Sequence, residues 1–182
     1  MATRKISLDR NEIRKAIKDL ESIEKNIDTK TDAAIEEIMT EAVKYCQSLT
    51  PISDNQGNHL RLNTYWEKTP NGYRLVQEGD HIAYVEFGTG SVGRSNPHAE
   101  AGRFGWQYGI GSQIFQTKDG RTGWFFPTGE TYTSLETGTS SQKYKFTQGQ
   151  PANMQVYKTG LWLAEKLGAE INYVVDGELS KW

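Results

Sequence analysis

The chain has 182 residues, enough for one domain with a substantial core and short for two. Lys and Arg number 21 against 23 Asp and Glu, and the formal charge of -2 provides no general attraction to nucleic acid or an anionic membrane. No apolar run nears the roughly 18 residues that cross a bilayer, MATRKISLDR lacks a signal peptide's apolar core, and the single Cys46 excludes an internal disulfide or a cysteine metal cluster. A soluble protein made in a cytoplasm is expected, with no membrane partner and no specific nucleic acid.

Residues 9–49 contain neither glycine nor proline. Ile13, Ile17, Leu20, Ile23 and Ile27 recur at helical spacing, and Ala34, Ile35, Ile38, Ala42, Val43, Cys46 and Leu49 continue the stripe, with Cys46 read as a small core residue. Asp9 with Glu12 resembles a capping box, and Thr29 with Asp32 offers a second start. The segment is therefore one long helix or two with a break near residues 28–31. A continuous helix would be about 60 Å long, more than a domain of this size covers, so part of its stripe would need a partner chain. A helical hairpin packed on itself is the alternative.

Thr50-Pro51 stops the helix, and 53–58 reads as a polar loop. Leu60, Leu62, Thr64 and Trp66 alternate with polar neighbours as in a half-buried strand. Asn71-Gly72 marks a tight hairpin, 73–77 returns as its partner, and Gly79-Asp80 turns the chain into a third strand at 82–87, completing an antiparallel meander.

Residues 88–149 hold 12 of the 18 glycines, together with Phe104, Trp106, Tyr108, Phe115, Trp124, Phe125 and Phe126. RFGWQYGIG at 103–111 and RTGWFFPTG at 121–129 share Arg-x-Gly-Trp-x-aromatic-x-x-Gly. A Gly-rich excursion this long within a compact domain is usually functional or disordered, and aromatics at this density argue against plain disorder. Its entrance, Gly88-Thr89-Gly90-Ser91-Val92-Gly93, fits the dinucleotide pattern G-x-G-x-x-G. That chemistry needs a βαβ unit and a helix opening directly from the loop, and Pro97, Gly102 and Gly105 interrupt where the helix should run. No nucleotide cofactor is expected. Gly88 would permit a tight turn after the strand, while Gly90 and Gly93 would keep the root of the excursion flexible.

From Pro151, a favoured first helical position, Met154, Tyr157, Leu161, Ala164, Leu167, Ile171 and Val174 form a last helical stripe. Gly160 and Gly168 within it suit close approach of another backbone. Asp176-Gly177 ends the helix.

His59, His81 and His98 are scattered and form no metal-spaced pair, so each reads as a loop or turn residue. No nucleophile elbow or phosphate-binding loop occurs. Glu86 reads as a strand-end carboxylate that accepts hydrogen bonds from the adjoining loop or a neighbouring subunit.

The order of these features resembles the tail-completion, or head-tail joining, family of bacteriophage neck proteins. The likeness rests on Thr50-Pro51 after the first helix, on Ala83-Tyr84-Val85-Glu86-Phe87-Gly88-Thr89, and on Gly149-Gln150-Pro151-Ala152 before the last helix. The chain departs from the usual pattern at 52–57 before Leu60-Arg61, and at Asn153-Met154-Gln155, where relatives carry arginine-proline-phenylalanine. The resemblance implies a non-enzymatic virion protein of the phage tail and neck, a homo-oligomer assembling as a hexameric ring. It would meet other neck and tail proteins such as the connector or stopper, the tail terminator and the tail tube.

The expected fold is a single α+β domain over 1–182: a long N-terminal helix, an antiparallel β-meander with a Gly/Trp-rich arm inserted at about 91–145, and a C-terminal helix packed on the sheet. Tyr84, Glu86, Phe87, Gly88, Trp106, Tyr108, Trp124, Phe125 and Phe126 form the candidate assembly interface, with no catalytic, cofactor or metal site. Two other classes remain open: a carbohydrate- or cell-wall-binding module stacking sugars on Trp106, Tyr108 and Trp124, and a small hydrolase using Glu86.

Overall fold

Arg10–Leu49 is one uninterrupted 40-residue helix, α1, in the computed structural model, which describes residues 9–52, 59–108, 115–133 and 140–181. Asp9 caps it by accepting the Asn11 N–H, and the expected second start is absorbed, because Thr29 Oγ1 donates back to the Lys25 carbonyl inside the helix. The polar loop expected at 53–58 lies outside the described residues. The chain divides into two compact units, 1–77 with 156–182, and 78–155.

In the first unit, α1 is followed by the single turn α2 (His59–Leu62) and the hairpin β1 (Thr64–Thr69) and β2 (Gly72–Gln77). The strand expected from Leu60 therefore starts at Thr64, and Leu62 is exposed on α2. Two alternating leucines are too short a pattern to hold a strand. At the hairpin tip Thr69 pairs with Gly72, so Pro70 and Asn71 make the turn and only Gly72 takes a positive φ, 138°. The hairpin lies on α1: Trp66 Nε1 donates to Thr40 Oγ1 at 3.1 Å, Lys68 meets Asp32 at 3.0 Å, and Tyr73 stands over Glu36.

Thr50 is fully buried at the end of α1 and ties this unit together. Its N–H reaches back to the Cys46 carbonyl, its own carbonyl accepts from Arg61 Nε at 2.7 Å, and its hydroxyl accepts from Gln77 Nε2 at 2.9 Å. The polar groups at the C-terminus of α1 are thus satisfied by Thr50 itself, a side chain of α2 and the end of β2.

The C-terminal helix α5 (Gln155–Leu179) packs against α1 and not, as expected, on the sheet. Tyr45 stacks on Trp162 with centroids 5.4 Å apart, and Lys30 pairs with Glu178, so the two helices run antiparallel. The helix begins four residues after Pro151. No described atom lies near the Cβ positions of Gly160, Gly168 or Gly177, so the close backbone approach expected at Gly160 and Gly168 is not made within the described chain.

In the second unit, α3 (Ile82–Phe87) and α4 (Gly90–Ser95) precede a three-stranded antiparallel sheet ordered β3-β4-β5 (Phe115–Gln116, Thr122–Thr133, Ser140–Thr147), and β6 (Gly149–Gln150) closes back on α4. The expected third meander strand at 82–87 is a helix. A six-residue apolar run fits either state, and its partners decide between them.

Glu178 is almost wholly buried and accepts from the ammonium groups of Lys181 and Lys30, which hold its carboxyl at about 2 in place of an ordinary 4.5. Because the folded value lies below the unfolded one, the stability this group contributes is complete above about pH 4.5 and lost as pH falls towards about 2. Thermal melts across that window should show Glu178→Gln flattening the acid limb and lowering the melting temperature near pH 7. Parallel curves for the two proteins would mean that the pair contributes nothing.

Candidate functional site

α3 is too short to satisfy its own carbonyls, and those of Tyr84, Val85 and Glu86 accept from donors 66 to 68 residues further along the chain. The Tyr84 carbonyl accepts from the Gly88 N–H and from Gln150 Nε2, both at 2.9 Å. The Val85 carbonyl accepts from the Asn153 N–H at 3.0 Å, and that of Glu86 from the Met154 N–H at 3.2 Å. Next to these caps, Thr89 bridges Gln150 and Gly90 bridges Gly149. The two stretches that were far apart in sequence, 84–90 and 149–154, thus form one seam.

Glycine makes the seam possible. Gly149 has φ 96°, and a Cβ there would stand 2.0 Å from the Thr89 carbonyl oxygen. Gly90, at φ 64°, brings its α-carbon against the Gln148 carbonyl and the Trp124 ring. Gly90 and Gly93 are buried, so their role is close packing and not the flexible root expected of them. The glycine pattern does open into helix, contrary to expectation, but α4 ends at Ser95 with Asn96 as its C-cap, just before Pro97. The Val92 N–H in its first turn is already bonded to the Gln148 carbonyl at 3.3 Å.

Around the seam the structure gathers most of the predicted residues. Phe87 stacks on Trp106 with centroids 5.1 Å apart, Tyr84 meets the same indole edge-on at 5.8 Å, and Trp106 Nε1 donates to the Gly88 carbonyl at 3.1 Å. Glu86 is 6% exposed and accepts from Nε2 of His98, itself 4% exposed, at 3.2 Å. Nδ1 of that ring accepts the Glu100 N–H at 2.9 Å, and the Tyr108 hydroxyl accepts the His98 N–H at 2.9 Å. Glu86 therefore lies on a helix, not a strand end, and its loop partner is a histidine. Sequence reasoning read His98 as a loop or turn residue, Phe104 as an aromatic of the excursion, Gln150 as part of the late motif and Met154 as part of the last helical stripe, and assigned none of them to the site, because no spacing links 98 to 86 or 150–154 to 84–86.

Trp124, Phe125 and Phe126 stand apart on the β4–β5 ribbon. Strand alternation turns Trp124 towards Gly90 and Phe125 to the other face, where it meets Phe115 at 5.5 Å and Phe146 at 5.4 Å. Phe115, Phe125, Phe126 and Tyr144 are exposed. Trp106, Tyr108 and Trp124 do not present a common open face for sugars: one is stacked on Phe87, one bonds the 98 backbone, and one covers Gly90.

No protein-family model matches the chain, and no curated protein or solved structure shows significant similarity to it. Among the described residues, no group of His, Cys, Asp and Glu is arranged to hold a metal ion, and no helix is long and apolar enough to cross a membrane.

Two comparisons test this arrangement by chemical denaturation followed by circular dichroism. Gly149→Ala should cost about 3 kcal/mol or more, since both backbone angle and space forbid a Cβ, while Gly102→Ala, in open space, should be nearly neutral. Trp106→Ala should cost about 3 kcal/mol and Phe125→Ala, at 48% exposure, under about 1 kcal/mol. Equal costs within either pair would refute the packing described.

Proposed function

We propose that the chain is a non-enzymatic structural protein of the bacteriophage neck, which assembles with copies of itself as a ring, completes the head-proximal end of the tail and helps join tail to head. In this reading it acts in the virion after synthesis in the host cytoplasm, and its partners are the neighbouring neck and tail proteins. The observation that carries the reading is the first half of α1. Ile13, Ile17 and Leu20 are 39%, 50% and 42% exposed there, and Ile17, Leu20, Ile23 and Ile27 line a shallow groove. The Lys30–Glu178 pair sits at the end of α5, so α5 does not run on beside this stretch.

Three large aliphatic side chains in a row along one helix face leave a contiguous apolar strip in water, and such strips favour association. Covering each exposed half would contribute about 1 kcal/mol, repeated at every contact of a ring. The aromatic face of β4–β5 offers a second contact surface of the kind rich in interface anchors. The residues behind the family resemblance also have coherent roles. Thr50 and Arg61 close the end of α1, and 83–89 joins 149–152 in the seam.

In a phage whose copy of this gene carries an early stop codon, electron microscopy should show filled heads and separate tails. Empty heads alone, or normal infectious particles, would refute the assignment. In the purified protein, Ile17→Lys with Leu20→Lys should lower the mass measured by light scattering to that of a smaller assembly. Lysine sustains a helix, so the melting temperature of the dissociated form should change little. An unchanged mass would remove α1 from the assembly surface.

A further inference from the structure

The buried Glu86–His98 pair plays no part in the assembly reading, and its geometry points to a separate property: we propose that residues 99–106 are an acid-released flap, held in place by neutral His98 and freed when that ring takes a second proton. The tautomer follows from the contacts. Nδ1 accepts the Glu100 N–H at 2.9 Å, so the ring proton lies on Nε2 and is donated to Glu86 Oε1 at 3.2 Å. Nδ1 is then the only site for a second proton, and an N–H already occupies its lone pair. Protonation would set two hydrogens against each other, so the Glu100 N–H must move away.

That N–H belongs to the turn closed by the Ala101 N–H on the His98 carbonyl, at 3.1 Å. The turn carries Phe104, on Phe87 at 5.6 Å, and Trp106, on the Gly88 carbonyl. Histidine is the side chain whose charge ordinarily changes between about pH 5 and 8. Among the described residues, charged or titratable groups nearby include Glu86 from α3 and, in the chain that follows His98, Glu100, whose carboxylate meets Arg103 at 3.5 Å, and Tyr108, whose hydroxyl accepts the His98 N–H. α4 contributes the exposed Arg94, and 151–154, packed on α3, has no titratable side chain. At the other end of α3, the His81 ring lies 6.4 Å from that of Tyr84.

The test is amide hydrogen exchange on the full chain from about pH 7.5 to about pH 5, corrected for intrinsic rates. Protection at 99–106 should fall about tenfold or more while amides of α4 and β4–β5 keep theirs. His98→Asn places an oxygen where Nδ1 sits and cannot take the proton, so it should hold the flap at both pH values. His81→Gln with His59→Gln should leave the wild-type fall intact, which keeps the test decisive should His98→Asn not fold. A flat wild-type profile, loss of protection across the whole unit together, or a fall that persists in His98→Asn or vanishes in the double variant would overturn the proposal.

Discussion

The carbonyl end of a six-residue helix is the constraint on which residues 78–155 depend. A helix as short as α3 closes few hydrogen bonds of its own, and a buried carbonyl without a partner costs on the order of 1–3 kcal/mol. Gln150, Asn153 and Met154 supply the missing donors. Reaching them brings two backbones together more closely than side chains permit, hence Gly88, Gly90, Gly93 and Gly149. Met154 carries the cost at the far end, with φ 59° in a region that non-glycine residues seldom occupy. The same geometry delays α5: with that φ Met154 lies outside the right-handed helical region, and the helix starts only at the next residue.

Residues 1–77 with 156–182 meet the same kind of demand differently. Here the carbonyl end in need of partners belongs to a 40-residue helix and is buried, and its partners are side chains: Arg61, Gln77 and the hydroxyl of Thr50 itself. Core packing concentrates in the second half of α1, where Ile38, Met39, Ala42 and Cys46 are buried. The surface charge pairs over the hairpin, such as Lys68 with Asp32, add little, because exposed ion pairs are offset by solvent and side-chain entropy. α1 is therefore well anchored at one end, while at the other Ala16 is buried but Ile13, Ile17 and Leu20 stay exposed among the described residues, which is the asymmetry on which the assembly reading rests.

The motifs behind the family resemblance are, in this structure, largely fold-holding. Thr50 and Arg61 close a helix end, Gly88 and Gly149 permit a backbone crossing, and Glu86 is spent internally on His98. The side chains free to meet a partner are others: Ile13, Ile17 and Leu20 on α1, and Phe115, Phe125 and Tyr144 on the ribbon. A likeness carried by the first set speaks to architecture, whereas choice of partner would be set by the second.

Period and punctuation alone made the helical character of α1 legible, because 40 residues without glycine or proline repeat one apolar stripe, but not that it is one helix and not two; the hairpin marked by Asn71-Gly72 was equally plain, although Pro70 and Asn71 make its turn. Aromatics at Tyr84, Phe87, Trp106 and Trp124 were visible as a class, but not that Trp106 would bury a face on Phe87 while Phe125 stayed open. Residues 82–87 show why. IAYVEF suits strand or helix, and the decision came from donors more than sixty residues away. Likewise α5 shows an apolar stripe but not its partner, and only the Tyr45–Trp162 and Lys30–Glu178 contacts placed it on α1. Periodicity is a property of neighbours along the chain, so it determines which face an element will bury. Hydrogen-bond satisfaction and close packing are settled between distant segments, so the identity of short elements, the glycine seam and the Glu86–His98 pair were decided only in three dimensions.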